Sequence, residues 1–208
     1  GETIRDLLQR FDHLSVRDTR SQYMVYDLAQ REAAIVLDPS FLGDYESITP
    51  PPVSTAPYIF SYSFQRSSFA AEALAYLQDR LSMPVYSVTG EFGSIVPRGM
   101  GPQDWLSLMR DAAFVCTDSF HGTCFSIINQ KPFVVFPVKS NMHRIEDTLN
   151  YFSLGSRVVL NLEKVRALSV NEIDLHAIKS HLTSKRRDSF TFLRKSLESK
   201  RRLKPTNP

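Results

Sequence analysis

The 208-residue chain is 42% hydrophobic and 23% charged with a net charge of +3. This excludes a disordered or fibrous protein and suits one large domain, or one domain and part of another. No apolar run reaches the ~20 residues that cross a bilayer as a helix, no secretory leader opens the sequence, and the two cysteines, Cys116 and Cys124, stand in apolar runs without a CxxC pair, so buried free thiols are expected rather than a disulfide or zinc site.

Residues 4–11 place Ile4, Leu7, Leu8 and Phe11 on one helical face. A short strand at 13–16 ends at Arg17-Asp18, a helix follows over 19–32, and an apolar strand at 33–37 ends at Asp38-Pro39. The stretch "SITPPPVSTAP" (47–57) cannot continue a helix or a central strand and reads as a linker or hinge. Beyond it, strands at 58–64, 85–89, 113–117, 132–138 and 157–160 alternate with helices at 67–81, 102–110, 122–130 and 141–152. A Gly-rich loop occupies 90–101, and a long helical end starts at residue 170. This alternation predicts βαβ units and a doubly wound parallel sheet. Residues 1–48 supply two strands, too few for an independent core, so they complete or abut another domain.

The end of the chain is basic. Nine cations (Lys185, Arg186, Arg187, Arg194, Lys195, Lys200, Arg201, Arg202 and Lys204) face only Asp188 and Glu198. A solvated helix face is the plain reading. The functional one is attraction to an anionic membrane surface or glycan. Nucleic acid is not expected, because no aromatic side chains interleave with the charge.

Ligands of open parallel sheets bind at the carboxyl ends of the strands. Those ends deliver Arg17 and Asp18; Tyr62, Ser63, Gln65 and Arg66; Thr89, Gly90 and Glu91; Asp118, Ser119 and His121; and Lys139, Asn141 and Arg144. The set is mostly cationic and hydroxylic, which suits an anionic small molecule. A helix starting near Gly122 would offer bare N–H groups over 122–125 to a phosphate or carboxylate. Gly122 would let the ligand approach, Thr123 would add a hydroxyl, and His121 would carry a proton near neutral pH. Against this stands a purely structural role, with Ser119 as helix cap and His121 as filler. Asp118 has two readings, orienting His121 or capping the turn. A serine-hydrolase triad of Asp118, Ser119 and His121 is disfavoured, because the three lie too close in sequence and no G-x-S-x-G is present. No metal-ligand spacing is visible.

The segment "TDSFHGTCFSIINQKPFVVF", preceded by "DWLSLMRDAAFV" and followed by "NMHRIEDTL", resembles the C-terminal hallmark of polysaccharide pyruvyl transferases. "LSVRD" and "IVLDPSFL" fit the same family at the right relative spacing, and the resemblance runs to about residue 160. It implies an α/β fold of GT-B-like architecture, with two Rossmann-like domains and the site between them. The implied organisation is the C-terminal part of an N-terminal Rossmann-like domain (1–48), a Pro-rich linker (49–57), a C-terminal Rossmann-like domain (58–165), and a helical extension with a basic tail (166–208).

The implied activity is transfer of a pyruvyl group from phosphoenolpyruvate to a sugar of a cell-surface glycan or exopolysaccharide, forming a ketal. No cofactor or metal is expected. Partners would be phosphoenolpyruvate, a glycan or lipid-linked saccharide acceptor, and the anionic inner face of a membrane, with a cytoplasmic location. By position, His121 matches the family's active-site histidine, with Asp118 beside it, and Arg17 matches an arginine that holds the donor. Ser119 stands where some members carry Arg, so Arg66, Lys139 or Arg144 would supply the second anionic contact. The family's glycine- and asparagine-containing opening motif does not occur, so the expectation is a fragment or split protein inactive by itself. Two other functions are carried alongside: a GT-B glycosyltransferase using a nucleotide sugar, and a non-catalytic glycan-binding or scaffold domain.

Overall fold

The computed structural model describes residues 3–65, 67–90, 94–97, 99–138, 142–169 and 173–202, the last four without side chains. The chain divides into two compact units, Gly1–Leu42 with Ser180–Pro208, and Gly43–Lys179.

In the first unit, α1 (Ile4–Gln9) is opened by Thr3 and Asp6, each of which bonds the other's backbone N–H. Arg10 caps its end, so the helix stops short of the expected residue 11. Strands β1 (Ser15–Val16) and β2 (Ala34–Ile35) pair in parallel around α2 (Thr19–Ala29). The Asp18 carboxylate caps α2 by accepting from the Ser21 N–H at 2.7 Å. Gln30 adopts the left-handed conformation, φ 52°. That is a helix stop usually marked by Gly or Asn, which is why the sequence ran this helix on to residue 32.

The second unit is built on a four-stranded sheet of β3 (Ile59–Tyr62), β4 (Val85–Ser87), β5 (Phe114–Thr117) and β6 (Phe133–Val135). All pairs are parallel, in the order β4-β3-β5-β6. These apolar runs are buried on both faces, as a covered parallel sheet requires. On one face Ile59, Phe114, Cys116 and Val134 pack with Leu74 and Leu77 of α3 (Ser68–Leu81). Phe60 turns the other way, toward Trp105 of α4 (Pro102–Asp111), with ring centroids 6.3 Å apart. Helix α5 (Phe120–Ile128) follows β5, and α6 (Met142–Tyr151) follows β6. Both cysteines are buried, and neither forms a disulfide.

The Pro-rich stretch is fastened to α4. The Ser107 hydroxyl donates to the Pro51 carbonyl at 3.0 Å, and the Arg110 guanidinium donates to that of Pro50 at 3.1 Å.

The strand expected at 157–160 does not form. A 3-10 turn occupies Gly155–Arg157, and a single parallel bridge, Val135 to Val158, is all that joins the sheet. A short helix absent from the sequence reading, α7 (Leu162–Ala167), follows, capped by Asn161. Helix α8 (Leu175–Arg202) is the long helical end. Within the first unit, its Ser189 hydroxyl accepts from the Leu37 N–H at 3.0 Å, and Arg186 donates to the Phe41 carbonyl. No helix among the described residues is long and apolar enough to cross a membrane.

Candidate functional site

The order β4-β3-β5-β6 puts a topological switch between β3 and β5. The chain leaves β3 toward β4 on one side, then returns through α4 to enter β5 on the other. A crevice therefore opens outside the carboxyl ends of these two strands, where doubly wound sheets take their ligands.

Three contacts hold the two strand ends together. Asp118, 4% exposed, accepts the Phe64 N–H on both carboxylate oxygens at 2.9 Å and the Gln65 N–H at 2.7 Å. The Thr117 hydroxyl donates to the Tyr62 carbonyl at 2.7 Å and accepts the Ser119 N–H at 3.0 Å. Burial, and behind it the nearby Asp118 charge, pushes the Tyr62 phenol above its ordinary pKa. The Asp118 carboxylate thus fastens the backbone that follows β3, 53–54 residues upstream.

Helix α5 begins two residues earlier than expected. Ser119 is its N-cap, accepting the Gly122 N–H at 3.4 Å, while the Ser119 carbonyl accepts both the Thr123 N–H and the Thr123 hydroxyl at 3.0 Å. The row of bare N–H groups expected over 122–125 is thus corrected: these amides lie inside the helix. Thr123 is buried and turned back on its own helix rather than toward a ligand. Gly122 also has a different reason from the expected one. A Cβ there would stand 2.1 Å from the Thr117 hydroxyl oxygen, so the residue is Gly to let α5 pack against β5.

With the start moved, His121 lies in the first turn of α5 and is exposed. Its ring meets that of Phe120 edge-on, 5.3 Å between centroids. Arg144, on α6, lays its guanidinium over the same Phe120 ring, 5.2 Å from its centroid. Together these residues line a cavity of about 300 Å³ with Phe64, Gln65, Asp118, Ser119 and Val138. The cavity offers a proton carrier, a guanidinium and an amide side chain around an aromatic rim, which suits a small anionic or hydroxylated molecule.

Of the residues singled out in the sequence, His121, Asp118, Ser119 and Arg144 meet in this cavity, and Gly122 and Thr123 support it from within the helix. Arg17 belongs to the first unit, where its guanidinium bonds the Asp38 carboxylate. Burial opposes ionisation of Asp38, but the Ser40 N–H, Arg17 and the Ser40 hydroxyl outweigh it and hold its pKa below the ordinary value. Arg66 and Lys139 lie outside the described residues. Sequence reasoning missed Phe64 and Phe120 as lining. The only signal was an aromatic side chain at the carboxyl end of a strand, where a polar one is usual. No cluster of three or more His, Cys, Asp or Glu suited to a metal occurs among the described residues.

A family model described as polysaccharide pyruvyl transferase matches residues 2–140. No curated protein matches the chain. Among solved structures, the glycotransferase of kitacinnamycin is 14% identical, over 86% of this chain and 51% of its own, with a TM-score of 0.50. A Thermobaculum terrenum O-GlcNAc transferase mutant is 15% identical, over 86% of this chain and 42% of its own, with a TM-score of 0.44. At such identities the likeness is one of fold, and that fold is the α/β, GT-B-like class. The chain spans about half the length of the solved structures it matches.

Proposed function

The chain belongs to the polysaccharide pyruvyl transferase family, and from that premise we propose that it serves pyruvyl transfer from phosphoenolpyruvate to a sugar of a cell-surface glycan or exopolysaccharide. The observation that carries this reading is the exposed His121 beside Arg144 in one cavity at the switch point of the sheet.

Phosphoenolpyruvate carries a carboxylate and a phosphate, and the guanidinium of Arg144 is suited to bind either in a bidentate manner. Ser119 offers a hydroxyl beside it. Arg66 and Lys139 are the further cations proposed for the donor, and Arg17 is proposed for it from the family resemblance alone. In the reaction, a proton adds to the methylene carbon of the donor and a sugar hydroxyl adds to the neighbouring carbon. The C–O bond to phosphate then breaks, and a second hydroxyl of the sugar closes the ketal. The two hydroxyls release two protons; one replaces that taken up by the methylene carbon, and the other leaves with phosphate. His121 is proposed as the side chain that gives and takes these protons, since imidazole is the side chain that titrates nearest neutral pH. No metal or cofactor enters the scheme.

We further propose that the protein acts on the cytoplasmic side, with the exposed Arg187, Arg194 and Lys195 of α8 attracted to an anionic membrane surface. Co-sedimentation with phosphatidylserine vesicles that weakens with salt supports this; equal binding to neutral vesicles overturns it.

Thermal stabilisation of the purified chain by phosphoenolpyruvate, set beside a nucleotide sugar and inorganic phosphate, tests the donor, because a ligand stabilises the state that binds it. Stabilisation by the nucleotide sugar alone would replace this reading with a glycosyltransferase. Phosphate release without ketal formation would leave the acceptor half unsupported.

A further inference from the structure

Phe64 is a large apolar side chain that folding leaves 62% exposed. It is nevertheless not a loose surface residue. Its backbone N–H is gripped by both oxygens of the buried Asp118 carboxylate. Its ring meets Tyr62 edge-on at 4.9 Å, Tyr62 meets Trp105 at 5.0 Å, and Trp105 meets Phe125 at 5.0 Å. A row of rings thus runs from the core to the cavity and ends on an exposed phenyl beside His121 and Arg144.

We propose that Phe64 is the platform on which the acceptor sugar lies. The inference rests on the transferase reading of the cavity. A pyranose has an apolar C–H face and a rim of hydroxyls. A fixed phenyl ring accepts the face by dispersion and exclusion of water, and the neighbouring polar side chains take the rim. Phenylalanine has no hydrogen-bonding atom in its side chain. It therefore selects for a ring-shaped acceptor with an apolar face rather than for one hydroxyl pattern, which leaves the choice of hydroxyls to His121 and Gln65.

The test uses the chain itself with methyl β-D-galactopyranoside and methyl β-D-glucopyranoside as probes, followed by ligand-observed NMR. Binding of either to the unaltered chain is expected. Phe64→Ala should weaken it about tenfold, the scale of one aromatic contact. Phe64→Trp should retain binding and report it as a change in indole fluorescence. Phosphoenolpyruvate should still stabilise Phe64→Ala, with a much smaller loss than the pyranosides show, which separates the acceptor platform from the donor contacts of Arg144. Absence of pyranoside binding by the unaltered chain, or equal binding by Phe64→Ala, overturns the platform. Pyranoside binding that depends on Phe64 in a chain that phosphoenolpyruvate does not stabilise upholds the platform and overturns the pyruvyl-transfer reading.

Discussion

Asp118 and Phe64, 54 residues apart in sequence, are joined by a carboxylate whose two oxygens both stand 2.9 Å from one backbone N–H. The bond links the carboxyl end of β5 to that of β3, the two strands between which the sheet reverses its order. It fixes the wall of the cavity on which Phe64 stands, and the first prediction follows from it. Replacing Asp118 by Ala leaves the Phe64 and Gln65 N–H groups without their acceptor, at a cost of about 1–3 kcal/mol. Asp118→Asn keeps one oxygen and should fall between the two. Urea denaturation measures the order, and equal stability of all three proteins would refute the clamp.

His121 is exposed, so His121→Ala and His121→Gln should fold with stabilities within about 0.5 kcal/mol of the unaltered chain. On the proposed pyruvyl-transfer reading, ketal formation from phosphoenolpyruvate should fall about 10²–10⁴-fold in either variant, the scale of a lost acid-base group. Product analysis after extended incubation measures it. Undiminished ketal formation would remove His121 from the chemistry.

Gly122→Ala should destabilise the second unit by about 1–3 kcal/mol, because the new methyl overlaps the Thr117 side chain across a packed helix–strand contact. Adding Thr117→Ala removes the atom that would stand 2.1 Å away and should recover part of the loss. A double-mutant cycle in urea checks the coupling. Strict additivity would mean that Gly122 is retained for another reason.

The Asp38 carboxyl titrates below its ordinary 3.8. A depressed carboxyl contributes stability that is present above the unfolded pKa and lost as pH falls through the folded one. Acidification below about pH 4 should therefore lower the urea midpoint of the unaltered chain more steeply than that of Asp38→Asn. The difference should be small, because the Arg17 side chain is 38% exposed and solvent screens the pair. Parallel pH profiles would show that the contact contributes nothing.

The apolar runs around Ile59, Val115 and Val134 determined a parallel, covered sheet from sequence alone, because strands buried on both faces must be apolar throughout. The same logic placed the polar cluster at 117–122 at a strand's carboxyl end, and with it His121. Helix starts near Gly were less legible. Gly122 read as the opening of a helix that in fact starts at Phe120, behind the Ser119 cap that the sequence also offered, because a glycine kept for close packing looks the same in sequence as one kept for a turn. The strand expected at 157–160 failed for a related reason: β-branched residues favour a pleat, but only one register position there meets β6.

What tertiary structure alone decided is which distant groups share the cavity. Arg144 meets Phe120 across two helices, and Asp118 meets Phe64 across two strands. Sequence periodicity encodes which face of an element is buried. Which other element covers that face is fixed only by the strand order β4-β3-β5-β6, and it is this order that brings Phe64 beside His121.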